Sequence, residues 1–368
     1  MAETAQAPQV LLPFVAGSIE QSDTRQVRSS QLTTSTQDFP WDVPANGYLK
    51  GIFLDVVATG GVGASVFRAD GPFNALDSIV FNDTYNTAVL GPISGWDLYV
   101  INKYGGYHTN PDAKQWFGYS ANTTNGNFAF DLYVPICFRE RDLTGSLLNT
   151  SSNTPYRLQL RLAASTSIYS TVPTTLPTVT ITARTVSTSI PREFGNDNQK
   201  SYAQTPPGGE FLRNSWVKEV VNHSAASGFE YSIQRTGQRL RNLVLQQRDT
   251  GSPSLRTDAP LGDIVELIYN QTSIYREYRD IMRKNFSRIY PLLSATIDTA
   301  GAVDTGVFPI NFCNDFGLEV GGEIGYRYLA TSAAVPLKIR SAQRAAGNLE
   351  ILIQDVQTPD SSIITGGK

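Results

Sequence analysis

In YRLQLRLAA (156–164) and TVTITARTV (178–186), apolar and polar residues alternate at nearly every position. A period of two places one set of side chains on each face of an extended chain, so both segments are predicted as half-buried strands. GYLKGIFLDVVATG (47–60), LDSIVFND (76–83) and FDLYVPICF (130–138) are rich in β-branched and aromatic residues and also predict strands. SGWDLYVINKYGG (94–106) has a helical spacing instead. Leu98, Val100 and Ile101 give it an apolar face, Ser94 can cap its start and Gly105 can end it.

The second half repeats this order. RLRNLVLQQRD (239–249) and LGDIVELIY (261–269) predict strands, with Leu261, Ile264 and Val265 in the places of Leu76, Ile79 and Val80. SIYREYRDIMRKNFSR (273–288) is predicted as a helix capped by Ser273. Its apolar stripe is Ile274, Tyr278, Ile281 and Met282, with Arg276, Arg279, Arg283 and Lys284 mostly elsewhere. VFPINF (307–312), VPLKIRSA (335–342) and LEILIQDVQ (349–357) predict three further strands. Two of these segments are near twins: in VPICF (134–138) and FPINF (308–312), Pro135 matches Pro309, Ile136 matches Ile310 and Phe138 matches Phe312.

The order strand, strand, helix, strand, strand, strand thus occurs twice, which argues for one fold written twice. Between the halves, PREFGNDNQKSYAQTPPGGE (191–210) is polar and aperiodic and carries Pro206, Pro207, Gly208 and Gly209, so it is expected to be a linker. Additional short strands are expected in 20–40 and 210–235, bringing each half to about eight, as in jelly rolls. The expectation is an all-β chain of two tandem eight-stranded jelly-roll barrels with short helices in the inter-strand loops. Its divisions are an N-terminal arm (1–19), a first jelly roll (20–190), a linker (191–210), a second jelly roll (211–358) and a C-terminal tail (359–368). Pro135 and Pro309 should fall on equivalent strands, each at a strand start, edge or bulge, because proline donates no ladder hydrogen bond.

Composition narrows the function. With 368 residues, 40% hydrophobic and 17% charged, the chain can bury a core in two domains. A net charge of −3 argues against coating nucleic acid, which needs a basic surface. The two cysteines, Cys137 and Cys313, imply no disulfide framework and suit a reducing site of folding. The start, MAETAQAPQVLLPFVAG, does not have the form of a secretory signal, and no stretch approaches the roughly 18 apolar residues of a membrane span. Synthesis in a cytoplasm is expected.

Candidate chemistry is sparse. There is no G-x-S-x-G elbow, P-loop or H-E-x-x-H motif, and GGVGAS (60–65) reads as a loop. His108, His223, Cys137 and Cys313 lack metal-ligand spacing. Asp131, Glu140 and Asp142 could supply a glycosidase pair, but nothing selects two of them. In RERDLTG, Arg139, Glu140, Arg141 and Asp142 alternate in sign, as in a surface ion-pair cluster or a subunit contact. Trp41, Trp96, Trp116 and Trp216 could form a sugar platform, although packing accounts for them better, Trp96 as core of the first helix. No enzyme, metal or cofactor is expected.

Two similar β-sandwiches in one chain, each with a helix among its connections, resemble the double jelly-roll major capsid proteins. These build the shells of tailless, internal-membrane double-stranded DNA viruses, tectivirus-like phages among them. FDLYVPICFRERDLTG (130–145), PYRLQLRLA (155–163) and GVFPINFCNDFG (306–317) carry the resemblance, which covers about residues 20–358. It implies a homotrimeric block of six barrels that tiles an icosahedral facet of a bacteriophage virion, with the termini facing inward. The implied partners are other copies of the chain, minor capsid and vertex proteins, and the internal viral membrane, with no direct sequence-specific nucleic-acid binding. Near-neutral charge suits a subunit that packs against its own copies. Before the first barrel, Val10, Leu11, Leu12, Phe14 and Val15 form an apolar knot that Pro13 keeps from being a regular helix, and the expectation is an assembly arm. The rival expectation is a carbohydrate-binding or hydrolysing host-recognition sandwich; a third is a minor capsid or vertex protein.

Overall fold

The computed structural model describes residues 10–22, 25–108, 110–140, 142–191, 200–208, 213–251, 255–279, 281–282, 304–312 and 328–357. The first barrel comprises β1 (Arg25–Gln31), β2 (Gln37–Val43), β3 (Tyr48–Thr59), β4 (Leu76–Asn82), β5 (Ala88–Ile93), β6 (Phe128–Pro135), β7 (Tyr156–Leu162) and β8 (Thr178–Thr188). They lie in two sheets, ordered β1-β8-β3-β6 and β2-β7-β4-β5. The second barrel comprises β9 (Arg213–His223), β10 (Ala226–Ser232), β11 (Arg239–Arg248), β12 (Leu261–Tyr269), β13 (Thr272–Tyr278), β14 (Val307–Asn311), β15 (Leu337–Gln343) and β16 (Gly347–Gln357). Its sheets run β9-β16-β11-β14 and β10-β15-β12-β13. Adding eight to every label of the first barrel reproduces the second, so the duplicated all-β jelly roll expected from the sequence is what forms.

The alternation drives this arrangement. On β7 the apolar set Tyr156, Leu158, Leu160 and Leu162 is buried while Arg157, Gln159 and Arg161 are exposed, and Leu54, Val56 and Phe130 line the opposing sheet's inner face. Pro135 closes β6. Pro309 lies on β14, the equivalent strand, which pairs with β11 alone among the described residues. Neither proline interrupts a ladder it would have to support.

One predicted element is corrected. Thr272–Tyr278 is a strand, not the start of a helix. Asn270 and Gln271, at φ 47° and 62°, make a two-residue hairpin that returns the chain along β12, with Tyr269 opposite Thr272. A spacing of four, as from Ile274 to Tyr278, is close to one helical turn but is also two full strand periods, and the β-branched and aromatic content decides for the strand. Ile274 and Tyr278 are exposed, as is Ile281 at 41%, so of the predicted stripe only Met282 is buried. Residues 283–288 of that predicted helix lie outside the described residues. Its counterpart strand β5 has no place among the predicted strands, because Gly91 and Pro92 break its pattern.

The loops of the first barrel gather at two ends. At one, the β3–β4, β5–β6 and β7–β8 connections meet: Val62 bridges Thr175, and the Gly61 N–H donates to the Asn127 side chain at 2.8 Å. At the other, the β2–β3 and β6–β7 connections meet, with the Asn46 N–H on the Asn149 carbonyl at 2.7 Å.

Candidate functional site

The helix predicted at 94–106 forms as α1 (Gly95–Tyr104), and every one of its ten residues is buried. Ser94 caps it. The Ser94 hydroxyl accepts from the Asp97 N–H at 3.1 Å, and the Asp97 carboxylate accepts from the Ser94 N–H at 2.9 Å. A helix buried on all sides must have partners on all sides. One side packs on the first barrel, where Phe73 stacks on Tyr99 with ring centres 4.4 Å apart. The other side packs on the β9-β16-β11 sheet of the second barrel, so β11 is buried on both faces almost throughout.

The second barrel also finishes the helix. The last carbonyls of a helix lack partners within it. Here the Asn242 side chain donates to the Tyr104 carbonyl at 3.0 Å, and the Arg241 guanidinium donates to the Gly105 carbonyl at 2.8 Å. The Trp96 indole N–H donates to the Gln246 side chain at 2.8 Å, and Gln246 in turn donates to Asp97 at 2.8 Å. Toward the end of the helix, Lys103 sits 2.9 Å from Asp304, which also accepts from the Tyr104 hydroxyl at 3.0 Å.

Charges of alternating sign then run across the boundary. Asp97 meets Lys218 at 2.9 Å, Lys218 meets Glu350 at 3.0 Å, and Glu350 meets Arg248 at 2.9 Å. Arg248 meets Asp70 at 2.8 Å, and Asp70 meets Arg256 at 2.6 Å. Arg256 lies over the Trp96 ring, 3.8 Å from its centre. Asp97 and Asp70 belong to the first barrel and the other four to the second, and the six charges cancel. Burial opposes the charge on Asp97, but the Lys218 ammonium and the Ser94 N–H outweigh it and hold the carboxyl below its usual range.

Backbone contributes little to this boundary. β5 and β9 are parallel neighbours with one opposed pair, Leu90 and Trp216, which fuses the two barrels' sheets into one nine-stranded sheet. Beside it, the Tyr107 hydroxyl accepts from the Trp216 indole at 2.8 Å, the Gln354 amide at 2.8 Å and the Asn214 amide at 3.3 Å.

The candidate residues of the sequence are placed separately. Backbone pairing of Val10–Leu12 is parallel to Lys200–Tyr202, Phe14 is 1% exposed against Tyr48 and Leu143, and Leu11 and Val15 are 66% and 60% exposed. Cys137 is buried, its thiol pushed up to about 12 by burial, and Cys313 lies outside the described residues. His108 packs between Trp116 and Tyr133, and His223 lies within reach of Gln247. Among the described residues no three His, Cys, Asp or Glu side chains are grouped to hold a metal. Asp142 pairs with Arg139 and takes the Thr144 hydroxyl at 2.6 Å, while Glu140 is exposed. Asp131 stands opposite Asp55 on the outer face of the first barrel; burial, then the Asp55 charge, push it up to about 6 against the pull of Arg184. Trp41, Trp96 and Trp216 are buried in packing and Trp116 is half-buried, and a surface cleft of about 250 Å³ is lined by Phe39, Pro40, Val80 and Gln159 with no tryptophan.

Lys218, Gln246, Arg248 and Glu350 were not foreseen as a functional group. The signal is present in RLRNLVLQQR: a strand with hydrophobic residues of both parities and glutamines among them has two covered faces, one of them polar.

No family model matches this sequence, and no curated protein matches it. Solved structures do match. The crystal structure of the STIV MCP aligns with 94% of this chain and 100% of its own at a TM-score of 0.62 and 13% identity. A chain from the atomic structure of Sulfolobus Turreted Icosahedral Virus aligns with 95% of this chain and 94% of its own, at 0.64 and 11%. The major capsid protein P2 from bacteriophage PM2 aligns over 92% and 98%, at 0.52 and 10%. Similarity at these identities is similarity of fold, and the fold of this chain is the double jelly roll.

Proposed function

We propose that the chain is the major coat subunit of an icosahedral virion, acting by self-assembly and without catalysis. The observation that carries this reading is the buried, charge-balanced junction that makes two barrels of identical strand order into one block. A subunit that must hold a fixed place in a lattice needs its two barrels locked together, whereas an enzyme needs a site of convergent reactive groups.

In this reading three chains form a pseudo-hexameric trimer of six barrels around a cyclic axis, and trimers tile the shell around an internal membrane and double-stranded DNA. The chain works as an arm (1–19), a first barrel (20–190), a linker (191–210), a second barrel (211–358) and a tail (359–368). The exposed apolar residues of the arm, Leu11 and Val15 with Val10 and Leu12 beside them, meet neighbouring trimers, while Phe14 anchors the arm to its own barrel. Minor capsid and vertex proteins, and the inner membrane, are its further partners. The protein is made in a host cytoplasm and resides in a bacteriophage virion.

The test is the native mass of the purified chain and its behaviour on concentration. A particle of about 120 kDa, three times the 40.2 kDa chain, that goes on to form closed shells supports the reading. A stable monomer that binds oligosaccharide and never assembles overturns it in favour of the host-recognition alternative.

A further inference from the structure

The end of α1 brings one amine and two carboxyl groups together in a buried place. Lys103 is 2% exposed, Asp112, in the β5–β6 connection, 4%, and Asp304, just before β14, 1%. The Lys103 ammonium lies 2.9 Å from Asp304 Oδ2 and 3.4 Å from Asp112 Oδ2. The Tyr99 and Tyr104 rings wall the amine, their centres 5.4 and 5.7 Å from Nζ. Tyr99 also ties the amine to Asp112: Lys103 donates to its hydroxyl at 3.0 Å, and that hydroxyl donates to Asp112 Oδ1 at 3.0 Å.

The two oxygens of Asp304 differ. Oδ2 takes Lys103 and the Tyr104 hydroxyl at 3.0 Å, whereas Oδ1 is buried with no hydrogen-bond partner among the described residues. An ion pair built only for stability would satisfy both oxygens. Lys103 belongs to the first barrel and Asp304 to the second, so the pair faces across the boundary.

We propose that Lys103 and Asp304 are the site of an isopeptide bond, formed by the chain itself, that joins the two barrels covalently. Lys103 Nζ bonds to Asp304 Cγ, and the bond from Cγ to Oδ1 breaks. Of the three ammonium hydrogens, one stays on the amide nitrogen and two leave with Oδ1 as water. The two opposite charges disappear together, so no oxidant or activating group is needed. Asp112 carries the two protons in turn from nitrogen to Oδ1 and ends as it began. The Tyr104 hydroxyl stabilises the negative charge that develops on Oδ2 during the attack. Fixed contact replaces collision, and burial keeps out the water that would reverse the step. Burial opposes the charge on Asp304, but the ammonium groups of Lys103 and Lys114 outweigh it and hold the carboxyl below its usual range. The resting pair is therefore ionised, the uncharged amine and acid are its minor form, and the bond forms slowly after folding has assembled the site. The step occurs once in each chain and turns over no substrate, which leaves the coat reading as it stands.

The experiment incubates the full-length wild-type chain at neutral pH, denatures samples at intervals and measures their intact mass, then digests them and sequences the peptides. A species lighter by one water is expected to accumulate, and digestion should give a branched peptide that joins Lys103 to Asp304. Asp112→Asn keeps the shape but not the proton carrier and should form the bond about a hundredfold more slowly. Lys103→Arg keeps the charge and should retain its full mass. A folded wild-type chain that keeps its full mass and yields no branched peptide would overturn the proposal. So would a water lost equally from Lys103→Arg, or one that maps to an unbranched peptide.

Discussion

Lys218 of β9 and Asp97 of α1 lie 2.9 Å apart across the boundary between the barrels, and Asp97 has no exposed surface. A carboxylate in that position is tolerable only while its partner remains. Lys218→Ala should therefore destabilise the chain by about 3 kcal/mol, the usual scale for orphaning a buried charge. Because α1 belongs to both barrels' packing, urea unfolding should stay a single transition at a lower midpoint. A loss under about 1 kcal/mol would mean that solvent reaches Asp97 and that the junction is not what couples the barrels.

His108 supplies the acid limb of stability. Burial between the Trp116 and Tyr133 rings pushes it down to about 4, against 6.5 when unfolded. Between those values the unfolded chain binds a proton that the folded one does not, so stability falls as pH drops through that window. His108→Phe keeps the edge-to-face packing and removes the proton. The variant should outlast wild type at pH 4 by about 3 kcal/mol and match it at pH 7.5. Equal acid sensitivity, measured by thermal melts across that range, would show that His108 titrates normally.

Ile281 and Met282 are neighbours in sequence with opposite fates. Ile281→Asp, at a 41% exposed position, should fold and remain soluble, whereas Met282→Asp, at 0%, should lose several kcal/mol or fail to accumulate. Soluble yield and melting temperature separate the two. The reverse order would mean that Ile281, and not Met282, faces the core.

The arm divides between Phe14 and Val15. Phe14→Ala should free residues 10–17 to protease within minutes while the barrels' melting temperature moves little, because its cluster with Tyr48 and Leu143 is separate from the main core. If the chain assembles as proposed, Val15→Ser should leave its native mass unchanged and reduce shell formation. A fall in melting temperature of many degrees for Phe14→Ala would make the arm part of the barrel.

Strands with one covered face were legible in the sequence, because Leu158 and Arg157 need opposite environments and a period of two supplies them. Ser94 and Gly105 marked α1 because caps act locally. The misread stretch around Ile274 satisfied two periods at once. Nothing in the sequence placed α1 against β11, since the contact joins residues about 150 apart and depends on polar groups such as Gln246 and Lys218 finding partners in another barrel. The residues that join the two barrels are those whose polarity looks wrong for their own strand.

Among the described residues the barrels meet through one opposed strand pair, Leu90 and Trp216, and otherwise through contacts in which at least one partner is a side chain. Such a boundary has no need of a continuous polypeptide. If the two halves were translated as separate pieces, the same indole, guanidinium and carboxylate contacts would bring them together, as a partner protein is recognised. The peptide between them then has a different task, that of guaranteeing that each first barrel is born with one second barrel. A lineage could split this protein into two genes without redesigning its seam, and would lose by the split only its control over stoichiometry.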